Sequence, residues 1–96
     1  MTSKQRAYLR GLANTIEPIL QIGKSGISNN LIKQIDDALE ARELIKISVL
    51  ETAPDNVRNL GEEIAQNTNS ICVQTIGNKI TLYRARKKDS KIILPK

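Results

Sequence analysis

Histidine, tryptophan and phenylalanine are absent from this sequence, which holds only two Tyr, one Cys and one Met in 96 residues. Each shortage closes a route. Without His the commonest acid-base group near neutral pH is missing. Cys72 alone can form neither an internal disulfide nor a structural zinc site. With two aromatic rings there are few platforms for stacked bases, and the core has to come from Ile, Leu, Val and Ala. No run approaches the roughly 20 apolar residues of a membrane span. The opening "MTSKQRAYLR" is polar and lacks the apolar stretch of a secretory signal, so a cytoplasmic protein is expected. Acidic residues do not restore a catalytic centre. Asp36-Asp37 and Glu62-Glu63 are adjacent pairs whose side chains point about 100° apart on a helix, so they do not converge on a metal. No enzyme activity, metal, cofactor or small-molecule substrate is expected, and the length suits one domain.

What is present is positive charge, unevenly placed. The formal net charge is +5. Residues 1–33 carry five Lys/Arg against one acid, residues 34–63 three against eight, and residues 79–96 seven against one. Two basic ends folded onto one side would make a face suited to a polyanion. The acidic middle, residues 36–63, offers an alternative: a surface that docks a basic protein.

Periodicity divides the chain into seven elements. Ser3 suits an N-cap, and Tyr8, Leu9, Leu12 and Ala13 follow at helical spacing, predicting a first helix that ends near Asn14. "EPILQI" is short and apolar, with Pro18 in a position that a strand start tolerates, and Ile19 to Ile22 is read as strand. Ile27, Leu31, Ile32, Ile35, Ala38 and Leu39 form one helical stripe behind a Ser28 N-cap. "LIKISVL" alternates β-branched residues and reads as a second strand. Pro54 suits the first position of a third helix, whose buried stripe is Val57, Leu60, Ile64 and Ala65. "ICVQTI" and "KITLYR" flank Gly77-Asn78, a pair made for a tight hairpin. The order is α-β-α-β-α-β-β. It predicts a single α/β domain with a four-stranded mixed sheet, parallel through its crossovers and antiparallel at the hairpin. Residues 85–96 read as a basic tail, with room for a short extra strand at "KIIL".

The residues that carry chemistry lie at Gly23-Lys24-Ser25-Gly26, between the first strand and the second helix. "GKS" matches the end of a nucleotide-binding P-loop, but Pro18 stands where that loop needs its first glycine, and no Asp is placed at a strand end to hold Mg²⁺. An NTPase is rejected. The smaller task left is to present free N–H groups at a helix N-terminus to one sugar-phosphate, with Lys24 adding a cation and Ser25 a hydroxyl. The RNA-binding KH fold uses a glycine-x-x-glycine loop in this way.

"LRGLANTIEPILQIGKSGIS", "IDDALEARELIKISVL" and "IGNKITLYR" together resemble the CRM domain (chloroplast RNA splicing and ribosome maturation), in its stand-alone bacterial YhbY form. The likeness runs over residues 3–84. It implies an RNA-binding module, residues 1–84, similar in fold to the C-terminal domain of translation initiation factor 3. It also implies association with precursors of the large ribosomal subunit, as in bacterial members, which would make the alternative partner of the acidic 36–63 region a basic ribosomal protein; plant relatives act in intron splicing. The family's RNA-contacting loop falls on Gly23, Lys24, Ser25 and Gly26, with Arg84 and the helix residues Lys4, Arg6 and Arg10 on the same face. Arg86, Lys87 and Lys88 join that face on charge alone. Structural roles stand beside these: Arg84 guarding an edge strand, Tyr83 buried on the sheet, and Cys72 as a small apolar side chain.

Overall fold

Thr2, rather than Ser3, opens the first helix. Its hydroxyl accepts the Gln5 N–H at 3.1 Å while the Gln5 side chain accepts the Thr2 N–H at 3.1 Å, a reciprocal cap. In the computed structural model, which describes residues 1–96, helix α1 runs Ser3–Ala13 and strand β1 Pro18–Ile22. Helix α2 covers Asn29–Arg42, β2 Leu44–Val49, α3 Val57–Thr68, β3 Ile71–Ile76 and β4 Lys79–Tyr83. Ser28 caps α2 as expected, accepting the Leu31 N–H at 3.1 Å. The third helix starts later than Pro54: Asn56 is its cap, accepting from Asn59 N–H, and Pro54 packs in the loop before it. Asn69, in the left-handed region at φ 52°, ends that helix.

The sheet order is β1-β2-β4-β3. β1 and β2 pair in parallel, and β4 is antiparallel to both β2 and β3. The returning strand of the hairpin therefore slides between β2 and β3, which makes β4 central and leaves β1 and β3 as edges. Gly77, at φ 55°, makes the two-residue turn possible. The C-terminal ends of β1, β2 and β3 share one edge of the sheet. That edge carries the GKSG turn, the loop from Leu50 to Asn56, and the Gly77-Asn78 turn.

Two cores lie on opposite faces. On one, Ile22, Ile45, Ile47, Val49, Ile80 and Leu82 meet the buried stripes of α2 (Leu31, Ile35, Leu39) and α3 (Leu60, Ile64, Ala65). Each fully buried Ile or Leu contributes about 1.5–3 kcal/mol. Gly61 lets α3 sit close, since a Cβ there would stand 3.1 Å from Cys72 Sγ. On the other face, Leu44, Val73 and Tyr83 pack against Leu9 and Ala13 of α1.

The tail adds no strand at "KIIL". Residues 90–95 form a strap instead, with Ile92 and Leu94 packed on the α1 core. Glu43 fixes it. This buried residue, at φ 67°, accepts the Lys91 N–H at 2.6 Å, the Ile92 N–H at 3.4 Å and the Ser90 hydroxyl at 2.9 Å. Gln5 Nε2 donates to Pro95 O at 3.0 Å and closes the far end.

Candidate nucleic-acid interface

The GKSG segment is a tight turn in which Gly26 N–H donates to Gly23 O at 3.0 Å. Lys24 and Ser25, its two central residues, are exposed. The turn is braced from behind by the loop after β2. Leu50 N–H donates to Ile22 O at 2.9 Å, and Pro54 fills the space beside Gly26. Gly26 has φ 65°, and a Cβ built on it would stand 2.8 Å from Pro54 Cγ. Both facts require glycine there. Gly23 is different. Its φ lies outside the left-handed region, and its Cβ would meet only Leu50 Cδ1 at 3.5 Å and Thr52 Oγ1 at 3.9 Å, ordinary contacts. Packing does not demand a glycine at position 23.

Because Gly26 N–H is taken within the turn, fewer amides are free than the sequence suggested. Those of Lys24, Ser25 and Ile27 meet no acceptor in the protein. They sit just before the N-terminus of α2, where the helix dipole adds positive potential. The arrangement can hold one tetrahedral anion against backbone, with the Lys24 ammonium free to close over it.

The other basic residues do not all gather here. Lys4 and Arg10 are exposed on α1. Arg6 turns inward: its Nη1 donates to Cys72 O at 2.9 Å and Val73 O at 2.8 Å, carbonyls that the β-bulge in edge strand β3 leaves available. Arg84 is not on an edge strand and is not free. It follows central β4, at the sheet edge opposite the GKSG turn, and its guanidinium bonds the Asp36 carboxylate, Asp36 O at 3.0 Å and Thr68 O at 2.7 Å, with Glu40 Oε2 at 3.6 Å. Arg86 Nε donates to Glu40 O at 2.8 Å. Lys87 and Lys88 are exposed on that same far side. The expectation that both basic ends fold toward the turn therefore holds for neither Arg84 nor Arg86. Carboxylates of α2, one segment of the chain's acidic middle, pair with Arg84 instead, and the backbone carbonyl of Glu40 holds Arg86.

Two lysines escaped the sequence reading. Lys46 and Lys79 were taken as strand residues, yet both are only half-buried and neither has a carboxylate partner. Alternation carries the signal for Lys46, which lies between the buried Ile45 and Ile47, while Lys79 lies between the Gly77-Asn78 turn and the buried Ile80. Tyr83 is 4% exposed and so is a core residue; burial, with Glu43 nearby, pushes its hydroxyl pKa up. Burial and Glu62 likewise raise the Cys72 thiol, only partly offset by Arg6. A thiol held protonated is a poor nucleophile. No group of three or more His, Cys, Asp or Glu is assembled, and no helix is long and apolar enough to cross a membrane.

The CRS1 / YhbY (CRM) domain family model matches residues 1–84. The Bacillus subtilis protein named "Probable RNA-binding protein YqeI" is 46% identical over 95 residues, covering 99% of both chains. A Haemophilus influenzae protein named "RNA-binding protein" is 32% identical, over 100% of this chain and 96% of its own. The solution structure of SAV1595 from Staphylococcus aureus, titled as a candidate RNA-binding protein, superposes with a TM-score of 0.83 at 52% identity and 99% coverage of each chain. This chain belongs to the CRS1/YhbY (CRM) domain family.

Proposed function

We propose that this chain is a non-catalytic RNA-binding protein that engages ribosomal RNA during assembly of the large ribosomal subunit. One observation carries the reading. The GKSG turn and the adjoining Ile27 present three unpaired amides and a free lysine beside a helix N-terminus, while the glycine at position 23 answers no packing need. A backbone phosphate satisfies the amides, and the missing Cβ lets it approach. Lys4, Lys24 and Arg10 supply electrostatic capture. Contacts to the sugar-phosphate, with few rings to stack on bases, favour RNA shape over sequence. The names of the relatives support RNA as the partner.

The test is salt dependence. Lys24→Ala should flatten the slope of log affinity against log salt by about one unit; an unchanged slope in a folded variant removes the loop from the interface. Crosslinking in cells followed by RNA sequencing should recover large-subunit ribosomal RNA. Recovery of messenger RNA alone would refute the assembly role. A partner set that survives RNase would favour protein docking through the acidic middle, though the carboxylates of Asp36 and Glu40 there already face Arg84.

A further inference from the structure

The sheet face that carries α1 is only half covered. Its register sets three rows of side chains across the strands. Leu44, Tyr83 and Ile71 form the first, Lys46, Thr81 and Gln74 the second, and Gln21, Ser48, Lys79 and Ile76 the third. The first row is apolar and lies beneath α1 and the strap. The third ends beside the GKSG turn, because Gln21 precedes Gly23 by two residues and Lys79 follows the Gly77-Asn78 turn. Over this end lies an open depression of about 590 Å³, with Glu17, Pro18, Gln21, Ser48 and Lys79 on its walls.

Charge gives the half beyond α1 its character, since Thr81 and Ser48 at its centre are buried and the lysines stand over them. Lys46 stands opposite Thr81 and Lys79 opposite Ser48. The two lysines are thus diagonal neighbours on adjacent strands, with Cβ atoms roughly 7 Å apart. Neither forms an ion pair; Lys79 Nζ donates only to Asn78 Oδ1, at 2.9 Å. The one carboxylate on the depression is Glu17. Two like charges held this close on half-buried stems repel each other, and Glu17 forms an ion pair with neither. An anion from outside would pair with them.

We propose that this half-face is a second RNA contact, in which Lys46 and Lys79 hold phosphates of the strand whose neighbouring linkage sits at the GKSG turn. The path is continuous: the turn, then the exposed Gln21 with an amide for sugar or base edges, then the lysine pair. The exposed side chain of Ile76 ends the row. A single strand fits this shallow, polar and ring-free surface through its backbone. The strand's direction rests on the loop reading; the lysine pair does not.

The two are separated by one titration series. Fluorescein-labelled single-stranded RNA is titrated with wild type, Lys24→Gln, and the Lys46→Gln/Lys79→Gln double variant over a range of salt; glutamine keeps most of the apolar stem. The double variant should flatten the salt slope by about two units, one per lysine, while melting like wild type. If it keeps the wild-type slope, the half-face is not a contact, whatever Lys24→Gln does. If the double variant flattens the slope and Lys24→Gln does not, the half-face stands and the loop reading falls. Acetylation footprinting of the unaltered chain guards against misfolding: RNA should protect Lys46 and Lys79, and equal modification with and without RNA overturns the proposal.

Discussion

Alanine at each glycine of the GKSG turn should separate fold from binding, because the two positions are glycine for different reasons. At Gly26 the backbone sits at φ 65°, where an L side chain costs about 1–2 kcal/mol. The added methyl would also stand 2.8 Å from Pro54 Cγ, a ring with little freedom to move. Overpacking of this kind adds about 1–3 kcal/mol. Gly26→Ala should therefore lose about 2–5 kcal/mol, and at about 4–8 °C per kcal/mol its Tm should fall by roughly 10–40 °C. At Gly23 the nearest atom to a new methyl is 3.5 Å away and φ is ordinary. The loss of chain entropy in the unfolded state should leave Gly23→Ala as stable as wild type or more stable by up to about 1 kcal/mol. Its methyl would occupy the space a phosphate needs to reach the amides, so RNA affinity should fall about tenfold, which is about 1.4 kcal/mol. Thermal unfolding by circular dichroism and RNA binding by anisotropy measure both. Wild-type affinity in Gly23→Ala would refute the close approach, and a wild-type Tm in Gly26→Ala would refute the role given to Pro54.

Burial alone would raise the Glu43 carboxyl, but donation from Lys91 N–H, the Ser90 hydroxyl and Ile92 N–H, with Arg86 nearby, outweighs it and holds the pKa below the ordinary value of 4.5. A depressed folded pKa gives stability that is full above the unfolded value and lost as pH falls through the folded one. Glu43→Gln should thus be less stable than wild type by about 1–3 kcal/mol at neutral pH, with the gap closing as pH drops below 4.5; denaturant titrations showing a constant gap would contradict the charged latch. Gly11, near the end of α1, has nothing within 4 Å of a built Cβ. Gly11→Ala should raise stability by about 0.5–1 kcal/mol through helix propensity, and a lower Tm would show an unrecognised contact. Arg84→Ala should cost about 1–2 kcal/mol, mostly from the bonds to Thr68 O and Asp36 O, because the Asp36 side chain is 51% exposed and that ion pair is screened. Its RNA affinity should stay within about twofold; a tenfold loss would restore Arg84 to the interface.

The helices and strands were legible where local chemistry agrees with tertiary need. The α2 stripe from Ile27 to Leu39, the Ser28 cap and the Gly77-Asn78 turn are each decided within a few residues, and all three form as read. The features that were not legible depend on partners distant in the chain. Pro54 looked like a helix start because that is its local preference; it is placed by Gly26, 28 residues earlier, and the helix waits for Asn56. The tail was read as basic, with room for a strand at KIIL, and its strap was not legible because the order comes from a carboxylate at position 43 that meets backbone at 91 and 92. The charge count could not show that Arg84 and Arg86 would find α2, nor that Lys46 and Lys79 would share one half-face. Both outcomes follow from β4 entering between β2 and β3. A hairpin's sequence fixes its turn but not the side on which its second strand is received.

The claim at the centre is that amides of one small turn hold a phosphate, and amide spectra observe those groups directly. In a ¹⁵N-¹H titration with single-stranded RNA, the resonances of Lys24, Ser25 and Ile27 should shift most. Gly26, whose proton is already donated to Gly23 O, should shift less. Shifts confined to Arg84 through Lys88, with the GKSG turn unmoved, would contradict the account.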